Sequence, residues 1–277
     1  MARKLSLAFL TVAGCGPAEA VRIAAQTGYD MIGFRLLPSA TEPPYPLMHD
    51  AGGLDETLAA LKDTGIEVGD VEIARLNPRT VVSGFEPFLE RAARLGARHV
   101  LVAGDDPDHG RLAASFSAFC QLCHAYGLTA DLEFMPWTPV PDLATARRIV
   151  EDAAQPNGGV LIDALHFDRS ASSLHEVRDL PRNLIHYVQL CDGPSDYDPG
   201  DEELIRVART ARLLPGEGNI DCVALARAIP KDVTISVEIP NLERAGQLAP
   251  REWASAAIAA TRRVLATAGD ILDTDRG

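Results

Sequence analysis

The chain has 277 residues, 47% of them hydrophobic, with 26 Lys and Arg against 39 Asp and Glu and a formal charge of −13. An acidic surface repels phosphate backbones and anionic lipids, and an aromatic content of 5% offers few stacking platforms, so neither nucleic acid nor a membrane surface is an expected partner. No apolar run approaches the roughly 20 residues that cross a bilayer, and the sparse, odd set Cys15, Cys120, Cys123, Cys191 and Cys222 does not read as a disulfide framework, which points to a reducing cytoplasm.

The first strand falls at about 5–10. Here Arg3 and Lys4 precede the apolar LSLAFLTV, and Val12-Ala13-Gly14-Cys15 has the look of a lipoprotein cleavage box. The apolar stretch is short for a signal, and cleavage would delete the first strand-to-helix transition, so the run is read as part of the fold. A helix follows at about 17–27, then a strand at 31–36, a helix at 54–64 and a strand at 67–73. Next come helix 86–95, strand 99–104, helix 110–126, strand 129–134, helix 142–154 and strand 160–164. The series closes with helix 173–180, strand 186–191, helix 220–229, strand 233–238 and helix 250–267. Gly28, Gly65, Gly96 and Gly127 each follow a helical stretch, and the last three recur at a spacing of 31 residues, one strand–helix unit. Pro17, Pro87 and Pro250 stand in first turns, where the missing N–H costs nothing.

Eight such units without a break in composition predict an α/β fold, a single (β/α)8 TIM barrel spanning 1–277, with an open doubly wound sheet as its rival. One long insertion, 194–218, follows the seventh strand and therefore lies at the mouth of a barrel; it holds a short helix near 201–210 and could cover the site. The tail 270–277 reads as frayed.

Glu133, Asp163, Gln189 and Glu238 end or nearly end the last four strands, at intervals of 30, 26 and 49 residues. Buried carboxylates are costly unless paired or bound to metal. Strand ends of a barrel converge on one mouth, so the four point to one shared cation. Oxygen donors without imidazole or thiolate favour Mn2+ or Mg2+, with Co2+ also acceptable, over Zn2+. His166, in the loop expected after the sixth strand, is placed to touch substrate. Arg35 could bind an oxyanion or pair with an acid, and Glu72 and Arg75 could pair with each other. Trp137 is a candidate pocket wall and Glu217, in Pro-Gly-Glu-Gly, a candidate residue of the mouth. The haem-attachment pattern Cys120-Gln-Leu-Cys123-His124 falls inside an amphipathic helix and reads as two thiols on a buried face. Gly14-Cys15-Gly16 lacks the third glycine of a dinucleotide fingerprint, and no Ser or Cys triad has a supporting motif.

The chain resembles the xylose isomerase-like TIM-barrel superfamily, the sugar phosphate isomerase/epimerase group, over nearly its whole length. The resemblance is carried by Leu-Glu-Phe at 132–134, Leu-Ile-Asp-x-x-His at 161–166, Val-Gln-Leu-x-Asp at 188–192, Pro-Gly-Glu-Gly at 215–218 and Ser-Val-Glu at 236–238. It implies that Glu133, Asp163, Gln189 and Glu238 bind one divalent metal and that His166 touches substrate. Many sugar epimerases of the group carry His where this chain has Gln189, and ketose 3-epimerases carry a Glu and an Arg where it has Thr138-Pro139 and Pro194-Ser195. Gln at the third position is similar to bacterial 3-dehydroshikimate dehydratases. The leading expectation is a metal-dependent isomerase or epimerase of a small polyhydroxylated carbonyl compound. Glu133 and Glu238 would be its acid–base pair and the metal would stabilise an enediolate. Loss of a β-hydroxyl from the same intermediate would make it a dehydratase, a lyase. An abasic-site endonuclease would need more histidines and a basic face, and a non-catalytic sugar-binding barrel would not need the ligand set. A homo-oligomer is compatible with the sequence.

Overall fold

In the computed structural model, which describes residues 3–38 and 44–270, the apolar runs become the strands β1 Leu5–Leu7, β2 Met31–Arg35, β3 Glu67–Leu76 and β4 His99–Gly104. They continue as β5 Thr129–Glu133, β6 Gly158–Asp163, β7 Tyr187–Leu190 and β8 Thr234–Val237. Each strand pairs in parallel with the next, and β8 pairs with β1, so among the described residues the sheet closes into the expected eight-stranded barrel. Helices such as Pro17–Thr27, Glu86–Leu95 and Pro250–Thr267 link and flank the strands. The glycines after them adopt the positive φ that stops a helix, +82° at Gly28 and +75° at Gly96. No helix among the described residues is long and apolar enough to cross a membrane.

Side chains two residues apart in a strand share a face. One face of the strands, with Val100, Val102, Leu132, Val160, Ile162 and Val188, packs against the helices in the large core. The other face supplies a smaller separate core of Ile73, Leu101, Ala103, Met135, Leu161 and Tyr187. Leu161 and Tyr187 stand two residues before Asp163 and Gln189. The alternation therefore turns Asp163, Gln189 and, two after Asp131, Glu133 toward the barrel axis, above an apolar plug.

Several expectations needed correction. The apolar run 5–12 does not stay extended: after Leu7 it turns into a 3-10 segment, Phe9–Val12. There the Thr11 hydroxyl donates to the Val237 carbonyl and accepts from the Ile239 amide, both at 2.8 Å, a bond pattern an extended strand could not offer. The second outer helix begins at Ala51, ahead of the expected 54, after a short helix at Pro46–His49. His166 lies not in a loop but in a helix, Ala164–Arg169, whose N-terminus is capped by Asp163. Glu72 and Arg75 do not pair with each other. Glu72 is the cross-strand partner of Arg35 and accepts from it at 2.9 Å, while Arg75 reaches Asp105 at 2.9 Å. Of the tail expected to fray, Asp270 is tied to Arg3 at 2.7 Å, and the rest lies outside the described residues.

Candidate active site

β5 and β6 end on Glu133 and Asp163, Gln189 precedes the last residue of β7, and Glu238 directly follows β8. Asp163 is the register partner of Gln189, and the partner of Gln189 on β8 is Ser236, two residues before Glu238. All four are buried. Gln189 Nε2 donates to Glu238 Oε1 at 2.9 Å, while Gln189 Oε1 is buried with no hydrogen-bond partner among the described residues. Asp163 Oδ1 accepts the amides of Leu165 at 2.9 Å and His166 at 3.0 Å. His166 Nε2 lies 3.7 Å from Glu133 Oε1 and 4.0 Å from Asp163 Oδ1, and the Trp137 ring meets the His166 ring edge-on at 5.0 Å.

A residue that sequence reasoning missed sits among them. Arg212 NH1 donates to Asp163 Oδ2 at 2.5 Å, and NH2 lies 3.2 Å from Glu238 Oε2. Arg212 arrives there because the end of the insertion is lashed across the barrel mouth. Asp192 and Leu213 exchange backbone hydrogen bonds of 2.9 and 2.8 Å, the Arg212 amide donates to the Pro240 carbonyl at 3.1 Å, and the Asn241 amide group donates to the Arg212 carbonyl at 2.8 Å. Buried Asp192 then accepts the amides of Gly193, Gly216, Gly218 and Ile220 at 2.8 to 2.9 Å, which folds Pro-Gly-Glu-Gly around one carboxylate. A Cβ at Gly218 would lie 2.1 Å from the Gly193 carbonyl oxygen, so no larger residue fits there. The signal that could have pointed to Arg212 is a lone cation in the short stretch between the predicted helix and Pro-Gly-Glu-Gly.

Glu133, Glu238, His166, Trp137, Arg35 and Arg212 line one cavity at the mouth, together with Glu72, Arg75, Met135 and Arg209. Asp163 and Gln189 lie beside it without lining it. Glu217 lies outside it and pairs with Arg244 at 2.5 Å on the surface. Burial first, then the charges of Asp163 and Glu238, push Glu133 well above the ordinary carboxylate range. Burial raises Glu238 to about 8 against the pull of Arg212, with Glu72 and Asp163 adding to the rise. Asp163 goes the other way: burial would raise it, but Arg212 and His166 outweigh that and hold it low. Burial lowers the His166 imidazole to about 4, despite Asp163.

These residues fit a cation. Glu133 makes no hydrogen bond among the described residues, Gln189 Oε1 is an orphaned buried acceptor, and Arg212 supplies one positive charge to three carboxylates. Glu133, Asp163 and His166 offer donor atoms within 4.8 Å of one another. With His166 beside the carboxylates the donor set includes an imidazole, so its chemistry no longer disfavours Zn2+.

The model of the xylose isomerase-like TIM barrel family matches residues 21–264. No curated protein sequence matches the chain. Among solved structures, an IolI protein with a bound zinc atom superposes with a TM-score of 0.80 at 20% identity, covering 95% of this chain and 98% of its own. An L-ribulose 3-epimerase gives 0.69 at 18% identity, with 97% and 96% covered. A D-psicose 3-epimerase crystallised with D-fructose gives 0.71 at 15% identity, with 95% and 99% covered. Likeness at such identity speaks for the fold. With the family model spanning most of its length, the chain belongs to the xylose isomerase-like TIM barrel family.

Proposed function

We propose that the protein is an enzyme that removes a proton next to a carbonyl on a small polyhydroxylated substrate and returns it elsewhere or on the opposite face, an isomerase or epimerase. The observation that carries this reading is the pair Glu133 and Glu238. Both line one cavity, from strands separated by β6 and β7, and both are pushed above the usual carboxylate range. Carboxyls tuned in this way exchange protons near neutral pH.

Glu238 acts as the base and Glu133 as the acid on the other face of the substrate. Gln189 Nε2 and Arg212 NH2 fix the two oxygens of Glu238, so the carboxylate is oriented before substrate arrives. His166, neutral at physiological pH, donates a hydrogen bond to developing negative charge on the substrate oxygen. Trp137 and Met135 form the apolar wall that limits water. Glu133, Asp163, Gln189 and Glu238 would hold one divalent ion, with Mn2+, Mg2+ or Co2+ suited to the oxygens and Zn2+ to the set once His166 is counted. Such an ion supplies Lewis-acid polarisation of the carbonyl. A second outcome of the same proton abstraction, loss of a β-hydroxyl, is favoured by one observation: a carboxamide, Gln189, stands where many of the group's sugar epimerases carry His.

The test is turnover in D2O across a panel of ketoses and dehydroshikimate. Solvent deuterium in recovered substrate or product supports the reading, and an enone absorbance with dehydroshikimate selects dehydration. Conversion without solvent deuterium and without an isotope effect on the α-hydrogen would overturn it. Metal content is read separately: Glu133→Gln and Asp163→Asn each remove an anionic donor and should lose most bound metal by elemental analysis, and full occupancy in both variants would remove the ligand assignment.

A further inference from the structure

Leu5 and Leu7, Ile32 and Phe34, and Ile235 and Val237 all belong to the large core against the helices. Strand alternation therefore turns the residues between them, Ser6, Gly33 and Ser236, toward the barrel axis, and Ser6 and Ser236 are register partners. On β3 one extra residue stands opposite Gly33, where the register with β2 shifts. A Cβ at Gly33 would lie 2.7 Å from Asp70 Oδ2, so the Asp70 carboxyl fills the inward place that β2 leaves bare. Tyr187 of β7 belongs to the inner core, and after burial the charge of Asp70 does most to raise its hydroxyl. Asp70, Ser6, Ser236 and Tyr187 thus share one side of the barrel interior, a layer beneath the mouth. Asp70 Oδ1, Ser6 Oγ, Ser236 Oγ and the Tyr187 hydroxyl are all buried with no hydrogen-bond partner among the described residues. Other interior acids have a cation: Glu72 has Arg35, Asp131 has His186, and Asp163 and Glu238 share Arg212. Asp70 has none among the described residues. Burial first, then Glu72 and Asp131, push its carboxyl up to about 8.

We propose that Asp70, Ser6, Ser236 and Tyr187 hold a monovalent metal cation, Na+ or K+, inside the barrel, separate from the divalent ion of the mouth. Carboxylate and hydroxyl oxygens are the ligands that hard cations take. One carboxylate balances one positive charge, whereas a divalent ion would leave net charge in a buried site whose other donors are neutral. Three hydroxyls bonded neither to one another nor to Asp70 are not a closed network; they are oxygens held around a common partner. The ion ties β3, β1, β8 and β7 together. Asp70, Ser236 and Tyr187 stand two residues before Glu72, Glu238 and Gln189, so it steadies the strands that carry those side chains to the mouth. None of this depends on the reaction proposed for the mouth.

The test is the melting temperature of the full chain in Tris buffer with Mg2+ in excess, as tetramethylammonium chloride is replaced by NaCl, KCl or LiCl at constant ionic strength. Na+ or K+ should raise it by about 3 °C or more and in a saturable way, as a ligand of the folded state alone does, and the more effective salt names the ion. Asp70→Asn keeps the shape of the side chain and removes its charge. It should melt no lower than wild type in tetramethylammonium and lose the shift. Ser236→Ala and Tyr187→Phe each remove one neutral donor and should need about tenfold more salt for the same shift. Equal melting of wild type in all four salts would overturn the proposal and leave the hydroxyls to water. A selective shift that survives Asp70→Asn would overturn it too, by placing the ion elsewhere. Unchanged salt midpoints in both Ser236→Ala and Tyr187→Phe would remove the hydroxyls from the site, whether or not the Asp70 variant folds.

Discussion

At the foot of the barrel, Asp131 is as buried as Glu133 two residues further along β5, yet the two carboxyls live under opposite rules. His186 Nδ1 donates to Asp131 Oδ1 at 2.6 Å, Thr129 donates to Oδ2 at 2.6 Å, and His99 Nδ1 stands 2.8 Å from that same Thr129 hydroxyl. Burial would raise Asp131, but the charge and hydrogen bond of His186 outweigh it and hold the carboxyl below its ordinary value. Every oxygen of that acid is used. At the mouth, among the described residues, Glu133 has no hydrogen bond and Gln189 Oε1 no partner, and Glu238 shares one arginine with Asp163. Around Asp131 the polar bonds close upon themselves, although neighbouring Asp70, raised by burial to about 8, keeps an Oδ1 with no partner among the described residues; the mouth leaves several acceptors and charges open together to something that comes from outside. A buried acid with its bonds closed is architecture, and buried acids with theirs open are the mark of a site.

Glu238→Gln should break the mouth without touching the foot. Turnover on any identified substrate should fall by about three orders of magnitude or more, roughly 4 kcal/mol at the barrier, with an unchanged melting temperature or a higher one. A variant that keeps a tenth of wild-type turnover contradicts its role as base. Asp131→Asn should do the reverse. Removing one partner of a buried charge pair costs about 3–5 kcal/mol of stability, visible in denaturant melts, while kcat of the folded fraction stays near wild type.

The pH response sharpens the contrast. Glu238 holds a proton up to about 8 in the fold, against 4.5 when free. Its contribution to stability is therefore fully present below about 4.5 and lost as pH rises toward about 8. His186 shares the direction: burial would lower it, but Asp131 raises it above 6.5, so its contribution is complete below 6.5 and lost as pH climbs through the raised value. Thermal melts of chelator-treated protein should decline between pH 6.5 and 8, above the range in which the depressed His166 and His99 add stability as they lose their protons. Added Mn2+ should flatten the part due to the mouth and leave the part due to the foot. A metal-free melt that rises across that range contradicts the direction assigned to Glu238. The smallest effect belongs to Glu217→Gln, which opens a half-exposed pair with Arg244. Stability should change by less than about 1 kcal/mol and turnover not at all, and a large loss of turnover would place Glu217 in the site after all.

Much of this architecture was legible before any coordinates. The helices Pro17–Thr27, Glu86–Leu95, Asp201–Thr210 and Pro250–Thr267 have the bounds expected of them, because proline or glycine marks their ends or an apolar stripe marks their length. The short helix Ala164–Arg169 escaped, since six residues hold too few turns for a periodic signal and its start is set by Asp163, an acid already assigned to the site.

What the sequence by itself determined was that Glu133, Asp163, Gln189 and Glu238 would share one end of one barrel. Strand alternation and strand length are local properties, and a closed parallel sheet carries each strand end to the same mouth. What only the tertiary structure decided was the cation among them and the partner of each acid. Arg212 reaches Asp163 across 49 positions of chain, and Arg35 rather than Arg75 meets Glu72 across 37. No local pattern encodes such meetings, because they depend on how an irregular insertion is tied down between β7 and β8 and on which residues fall opposite one another in neighbouring strands.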